Sequence, residues 1–399
     1  MSRCETFLGH DRKYIGHMHL LNKWRLKSTK PAVRRLSVER LAESKKLGDI
    51  DLLVGCLSDS DPIVRRIAAH AFSTIADQRS INALIKALTD ANHEVRASAA
   101  IALGRQGDLS TIRPLIYTLR DPKSRVRNSA ANSLRKLGWK PRSKEDHALF
   151  EIALGNPRGA VRSGNEAVSP LASELSSDSS FFRRAVAEVL KDLDDPRATN
   201  SLVKAATYDP DVSVRIAAIY GLADMEDKLA LPVLEKGLAA GDERVRLAAI
   251  QVLAKKAGPQ HGPRFMALLK DNHFEVRLAA VYFLGKLRDL KFAEALVPML
   301  WDHDHDVREA AAKVLGELKV PNATESLILA LIDEEHAVRI AAEKALEKID
   351  AQWIFSEAAQ RAKARLELSV NDGRSWVRSA TIVLLDKLRR PDTRLVVNG

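Results

Sequence analysis

A Val-Arg pair recurs along this chain at a nearly fixed spacing. Its arginines fall into two runs, and neighbouring members of each run are 31 residues apart: Arg34, Arg65, Arg96 and Arg127, then Arg215, Arg246, Arg277, Arg308 and Arg339. A period of this length is typical of small supersecondary units that bury their apolar faces only against their neighbours. The 399-residue chain is therefore predicted to be a repeat array and not a set of globular domains.

Residues 80–107 show what one unit contains. An apolar stripe at helical spacing is followed by a polar turn with Asn92 as a candidate N-cap, and a second stripe starts at Val95. Gly104 and Gly107 are expected to end the unit, because a helix C-terminus favours residues that tolerate positive φ. The unit is thus predicted to be a helical hairpin whose alanine-rich second helix lets its neighbours approach closely.

A second regularity is an aspartate six residues before most of these arginines. We expect the two residue types to form charge-assisted bonds between neighbouring repeats, and we call this set the Asp–Arg ladder. In one repeat Ala240 occupies the aspartate position, and Asp242 lies nearby. A group that recurs in this way is expected to serve the stack and not catalysis. The predicted ladder residues are Asp59, Arg65, Asp90, Arg96, Asp121, Arg127, Asp209, Arg215, Asp271, Arg277, Asp302, Arg308, Asp333 and Arg339.

The Asp–Arg spacing and strings such as VRASAAIALGRQGD at 95–108 and VREAAAKVLGEL at 307–318 resemble the HEAT-repeat family. In particular, they resemble the short bacterial subtype that is also found in phycobilin lyases. The resemblance covers about residues 31–390 with one interruption. It implies an all-α fold, namely a right-handed α-solenoid of about eleven stacked helical hairpins whose second helices line the concave face.

The regularity breaks between Arg127 and the next equivalent arginine, Arg183. Residues 143–154 are predicted to form an extra helix capped by Ser143, which either bends the stack, separates two functional halves or is a tolerated insertion. We therefore divide the chain into five parts: an N-terminal arm or cap at 1–30, basic HEAT repeats at 31–140, an irregular repeat with the extra helix at 141–180, HEAT repeats at 181–350, and a C-terminal repeat and cap at 351–399.

The net charge of +11 is concentrated in the first third of the chain. Residues 1–144 hold 28 basic and 13 acidic residues, a net of +15, whereas the remainder has a net charge of −4. Such a surface attracts an acidic protein face or a nucleic-acid backbone. We define the basic patch as Lys23, Arg25, Lys27, Arg35, Arg66, Lys123, Arg125, Arg135, Lys136, Lys140 and Arg142.

Sequence signatures of catalysis are missing. The chain has no glycine-rich phosphate loop, and its two cysteines, Cys4 and Cys56, are too few for a disulfide framework. Cys4 together with His10, His17 and His19 lacks a defined metal-site spacing, and the aspartate-rich string at 301–306 is expected to cap a helix and join the ladder. We predict no catalytic residue, no metal site and no cofactor.

Localisation follows from two further absences. No segment approaches the roughly 18 uninterrupted apolar residues of a membrane helix, and charges interrupt the N-terminal residues before a signal sequence develops. We expect a soluble cytoplasmic protein without membrane insertion.

Two positions on each second helix, two and six residues after the valine, are expected to face the groove. Early repeats place there Arg66 and His70, Ala97 and Ile101, Asn128 and Asn132. Later repeats place there a more apolar set, which we call the partner groove: Ile216, Tyr220, Leu247, Gln251, Leu278 and Tyr282. An apolar strip of this kind either marks a protein-binding site or is covered by the N-terminal arm or by curvature of the stack.

The leading interpretation is a non-catalytic scaffold for protein–protein interaction. Its partner groove would bind a protein segment, and its basic N-terminal third would dock an acidic partner. The alternative is a protein that binds duplex DNA or an RNA backbone, which includes the DNA-glycosylase activity known on HEAT-like surfaces. A bilin-lyase-like activity comes third and is implied by the resemblance alone.

Overall fold

The structure is a computed structural model that describes residues 21–389 apart from residues 22, 194, 226 and 257, and apart from the side chains at 47 and 227. Within these residues the regular elements are helices and no strand is present, which confirms the all-α fold. The α-helices are α1 (Pro31–Ser44), α2 (Ile50–Cys56), α3 (Pro62–Ala71), α4 (Ile81–Ala87), α5 (His93–Gln106), α6 (Ile112–Thr118), α7 (Ser124–Lys136), α8 (Lys144–Ala153), α9 (Pro157–Ala160), α10 (Val168–Glu174), α11 (Ser180–Leu190), α12 (Pro196–Tyr208), α13 (Val212–Gly221), α14 (Asp227–Gly237), α15 (Glu243–Lys256), α16 (Gly262–Leu268), α17 (Phe274–Lys286), α18 (Leu290–Glu294), α19 (His305–Glu317), α20 (Thr324–Ala330), α21 (His336–Ile349), α22 (Glu357–Leu368) and α23 (Ser375–Arg389).

The chain divides into two compact units, Met1–Ser201 and Leu202–Gly399, which we call unit 1 and unit 2. Within unit 1 the second helices of successive hairpins, α1, α3, α5 and α7, pack each on the next. Within unit 2 the helices α13, α15, α17, α19 and α21 do the same. Each of these arrangements is a stack of hairpins in which one core runs from repeat to repeat.

Small residues set the distance between the second helices. A Cβ added to Gly316 on α19 would lie 2.5 Å from the Cα of Ala345 on α21. A Cβ added to Gly104 on α5 would lie 2.3 Å from the Cβ of Ser133 on α7. Gly104 therefore lies inside a helix at a close contact, and the expectation that it ends the unit is wrong. Gly107, with φ of 78°, is the left-handed residue that ends α5.

The repeat pattern changes after α7. The extra helix predicted at residues 143–154 is present as α8, and the hydroxyl of Ser143 caps it by accepting a hydrogen bond from the backbone N–H of Asp146 at 3.0 Å. The short helix α9 and a 3-10 segment at Val161–Ala167 follow before α10 resumes the pattern. The irregular segment thus inserts additional helical turns between α7 and the next ordinary hairpin. The functional meaning of this division stays a prediction.

No helix in the described part of the chain is both long and apolar enough to cross a membrane.

Candidate binding surfaces and the Asp–Arg ladder

Arg65 shows the geometry of one ladder step. Its Nη1 donates a hydrogen bond to the backbone oxygen of Asp59, in its own turn, at 2.8 Å. Its Nε and Nη2 donate to the two carboxylate oxygens of Asp90, in the next repeat, at 2.7 and 2.8 Å. Asp90 also accepts from the backbone N–H of Asn92 at 2.8 Å, which fixes the turn before α5. One arginine therefore connects two turns and the start of a helix.

The forward step of 25 residues recurs in both units. Arg308 and Asp333 illustrate its burial, since their side chains are 8% and 10% exposed. Bidentate pairs of this kind hold both partners in one orientation. The further pairs with this spacing are Arg34–Asp59, Arg96–Asp121, Arg246–Asp271 and Arg277–Asp302.

Two ladder aspartates, Asp90 and Asp302, show how the arginines hold a carboxyl group in the ionised form. Burial of Asp90 opposes ionisation, but the bonds from Arg65 and from the Asn92 N–H outweigh it and lower the pKa of the carboxyl group. The hydrogen bond to Asp90 in turn raises the pKa of Arg65. The same balance lowers the pKa of Asp302 beside Arg277. These charges stabilise the stack and are not available as acids or bases near neutral pH.

Three ladder arginines have no aspartate 25 residues on. For Arg127 that position is Ile152, and the carboxylate is supplied by Glu174 at the end of α10. Glu174 bonds Nη2 of Arg127, whereas the buried Nε of Arg127 has no hydrogen-bond partner. Burial raises the pKa of Glu174, and the charge of Arg127 offsets only part of this effect. A cavity of about 400 Å³ lies beside the pair.

Arg339 meets an aromatic ring instead of a carboxylate. The residue 25 positions on is Ala364, and the guanidinium of Arg339 lies 5.9 Å from the ring centroid of Trp376 on α23. Arg374 lies 5.5 Å from the same centroid. A cation–π contact thus takes the place of the ion pair at this step. Nothing in the sequence period indicated this contact.

Arg215 has neither substitute. Its Nη1 donates to the backbone oxygens of Asp209 and Pro210 at 2.8 and 3.2 Å, and no carboxylate of the described residues pairs with it. The residue 25 positions on, where the aspartate stands in the regular steps, is Ala240. The sequence period predicts the exception in the repeat that contains Ala240. The bonds run forward, however, so the step that loses its ion pair is the preceding one. Arg246, in the same repeat as Ala240, keeps its forward partner, since its Nη2 donates to Oδ1 of Asp271 at 2.8 Å.

The partner-groove residues lie on α13, α15 and α17 of unit 2. Tyr220 and Tyr282 are 44% and 47% exposed, and the hydroxyl of Tyr220 donates to Oε1 of Gln251 at 2.6 Å. Beside them the aliphatic residues Ile216, Leu247 and Leu278 are half-buried.

The equivalent positions in two other repeats differ from the partner groove. Lys313 on α19 pairs with Glu309 at 2.5 Å, so the surface becomes charged one repeat further on. Ala97, which was expected on the equivalent face of unit 1, is only 3% exposed, and that expectation is wrong.

The basic patch contains both paired and exposed side chains. Arg35 pairs with Asp61 at 2.5 Å, Arg125 pairs with Glu94 at 2.8 Å, and Arg135 donates to Asn132 at 2.7 Å. Arg25 is half-buried. The remaining members are exposed and make no ion pair within the described residues: Lys23, Lys27, Arg66, Lys123, Lys136, Lys140 and Arg142.

The next features are the residues that the sequence offered for metal binding or nucleophilic chemistry. They contain no group of three or more side chains suited to hold a metal ion, and Cys4, His10, His17 and His19 lie outside them. In the aspartate-rich string, Asp302 bonds Arg277 and Asp304 caps α19 by accepting from the Asp306 N–H at 3.0 Å. Burial raises the pKa of the Cys56 thiol to about 12, which makes it a poor nucleophile.

The chain belongs to the HEAT-repeat family. The family model for HEAT repeats matches residues 21–94, 81–168, 146–223, 168–254, 231–316 and 294–386. No curated protein matches the sequence.

Several solved structures resemble the chain at low similarity. An engineered protein is 21% identical, covers 93% of this chain and 98% of its own, and has a TM-score of 0.31. Human deoxyhypusine hydroxylase in complex with glycerol is 18% identical over 84% and 96%, with a TM-score of 0.28. YibA from E. coli is 19% identical over 77% and 94%, with a TM-score of 0.32.

Proposed function

We propose that this HEAT-repeat chain is a non-catalytic scaffold that binds a protein segment in its partner groove and an acidic partner on its basic patch. HEAT repeats typically mediate protein–protein interaction. The observation that carries the proposal is the row formed by Tyr220, Gln251 and Tyr282, which are exposed at the same position of three consecutive second helices.

The chemistry of this row suits a peptide ligand. Tyrosine offers a large apolar area with few rotatable bonds, and its hydroxyl forms hydrogen bonds, so it is enriched at the energetic centres of interfaces. The half-buried Ile216, Leu247 and Leu278 provide an apolar surface next to the rings. Because the row repeats once per hairpin, a partner segment that lies across the second helices would contact successive repeats.

Affinity capture from native lysate tests the groove. We expect the double variant Tyr220→Ala/Tyr282→Ala to bind the captured protein at least tenfold more weakly, since interface hot spots are worth about 2 kcal/mol each. Tyr117→Ala is the matched control, because Tyr117 is a 63% exposed tyrosine on α6 of unit 1. Equal capture by the double variant and the control would reject the groove as the binding surface.

The basic patch is tested separately by charge reversal at Lys136, Lys140 and Arg142. We expect the reversed variant to lose an acidic protein partner that the wild-type chain also releases at high salt. Nuclease treatment and a gel shift with duplex DNA at about 150 mM salt form the parallel arm. Loss of capture after nuclease treatment, together with a shift of the DNA, would replace the acidic-protein assignment by nucleic-acid binding.

A further inference from the structure

Arg215 is a ladder arginine whose forward partner position holds only a methyl group. In six other steps of the described chain the guanidinium at this position binds an aspartate carboxylate at 2.6–2.9 Å, as in Arg65–Asp90 at 2.7 Å and Arg277–Asp302 at 2.6 Å. We propose that the gap at Ala240 is a binding site for a carboxylate group that comes from outside the chain, with Arg215 as its receptor.

The arginine side of this site is already in position. Nη1 of Arg215 binds the carbonyl oxygens of Asp209 and Pro210 at 2.8 and 3.2 Å. Nη1 of Arg65 binds the carbonyl oxygens of its own turn at the same two distances. The guanidinium is therefore oriented by its own repeat, and its Nε and Nη2 are left for a forward partner. Binding therefore costs little conformational entropy at this side chain, whereas a flexible arginine would have to be ordered first.

The turn on the other side keeps the ladder geometry as well. The carbonyl oxygen of Ala240 accepts from Nη1 of Arg246 at 2.6 Å, just as that of Asp271 accepts from Nη1 of Arg277 at 2.8 Å. The backbone of the turn is thus held as in the other repeats. What Ala240 lacks is the carboxylate alone, and its half-buried side chain leaves the position partly open to solvent.

A backbone donor completes the site. In the regular turns the aspartate also accepts from the N–H two residues on, as Asp90 does from Asn92 and Asp271 does from His273. The equivalent donor beside Ala240 is the N–H of Asp242, and it has no such acceptor because Ala240 has no side-chain oxygen. The carboxylate of Asp242 is itself engaged by Arg244 at 2.8 Å. A bound carboxylate would therefore accept from Nε and Nη2 of Arg215 and from this N–H.

The expected ligand class follows from the internal comparison. A planar carboxylate fits the fork in the occupied steps, so acetate is the minimal probe and acetamide is its neutral isostere. The inference does not depend on the partner groove, because the site is formed by the turns that precede α13 and α15. The natural ligand is either a free carboxylic acid or an acidic side chain of a bound partner. Both present the same carboxylate group to Arg215.

The test follows the Arg215 Nε–H resonance of the full chain during titration with sodium acetate at constant ionic strength. We expect a saturable shift with acetate and none with acetamide. Ala240→Asp supplies the missing carboxylate from within, so it should abolish the acetate response and raise the melting temperature. Ala239→Asp is the control, since it adds the same charge at the neighbouring exposed residue and should leave both quantities near their wild-type values.

Two results would overturn the site. One is a wild-type protein whose Arg215 resonance does not respond to acetate. The other is an Ala240→Asp variant that binds acetate as well as the wild type does. A capped Gly-Glu-Gly peptide then distinguishes the sources: at least threefold tighter binding than acetate supports a partner side chain, and equal binding supports a free acid.

Discussion

Arg65 and Arg127 bind a carboxylate of a later turn in two different ways. In the first, both oxygens of an aspartate 25 residues on face the arginine fork. In the second, the inserted α8 and α9 separate the neighbouring turns, and a glutamate 47 residues on reaches only Nη2. The first arrangement lowers the pKa of its carboxyl group, whereas burial raises the pKa of Glu174 in the second.

The comparison shows that one of the two ladder bonds is local, namely the bond of the arginine to its own turn. Both Arg65 and Arg127 bind the carbonyl oxygen six residues earlier at 2.8 Å, and the insertion does not disturb that bond. The forward bond depends on where the next repeat places its turn. Each forward carboxylate is therefore a tertiary feature, even though it recurs with a fixed sequence period.

The largest expected effect comes from breaking a regular step. We expect Asp90→Asn to lower the free energy of unfolding by about 3 kcal/mol, because it leaves the charge of Arg65 with a neutral partner in a mostly buried position. Asparagine still accepts from the Asn92 N–H, so the turn itself is kept. Urea denaturation followed by circular dichroism measures the change. Asp178→Asn, at an exposed turn residue, is the control, and an equal loss in both variants would contradict the role of the ladder.

A smaller effect is expected from the helix contacts. Gly316→Ala should destabilise the protein by about 1–3 kcal/mol, since its Cβ would meet the backbone of Ala345 on the next second helix. Gly55→Ala is the matched control on α2, where nothing lies within 4 Å of the added Cβ. That control should stabilise the protein by about 0.5–1 kcal/mol through helix propensity. A stabilising Gly316→Ala would show that the second helices are not in close contact.

The smallest and most discriminating effect is the pH dependence of the two steps. The lowered pKa of Asp90 contributes stability above the unfolded pKa near 4, and this contribution is lost as the pH falls through the folded value. The raised pKa of Glu174 has the opposite effect on stability. Its contribution falls as the pH rises from the unfolded pKa through the folded pKa. A pKa difference of one unit corresponds to about 1.4 kcal/mol.

Melting temperatures at pH 4 and pH 7 measure this difference. The deficit of Asp90→Asn relative to the wild type should grow between pH 4 and pH 7. Over the same interval Glu174→Gln should gain relative to the wild type, since glutamine has no ionisation to oppose. If both variants shift in the same direction, the two steps do not differ as described.

Much of the molecule was predictable from the spacing of a few residue types. The 31-residue period, the helical stripes and the aspartates before the arginines predicted hairpins and their linking ion pairs, because each depends on residues within one repeat or at a constant offset. The Ser143 cap of α8 was predictable for the same reason. The role of Gly104 was predicted wrongly, because a glycine at a helix end and a glycine at a contact between helices have the same local sequence pattern.

The candidate sites were less predictable. The partner groove and the basic patch follow from helix geometry and charge counting, and their binding roles stay predictions. Glu174 beside Arg127 and Trp376 beside Arg339 lie at irregular offsets, so no period could identify them. The missing forward partner of Arg215 could be identified only from the direction of the ladder bonds, which the six-residue spacing of Asp and Arg leaves undetermined.

The sequence by itself determined the hairpin, its length and the arginine's attachment to its own turn, since those interactions act within a few residues of the chain. Only the tertiary structure decided which carboxylate each arginine meets, because that bond joins turns whose separation depends on every helix packed between them. Arg65, Arg127 and Arg215 occupy the same position in their repeats, and they differ only in what the next turn brings to them.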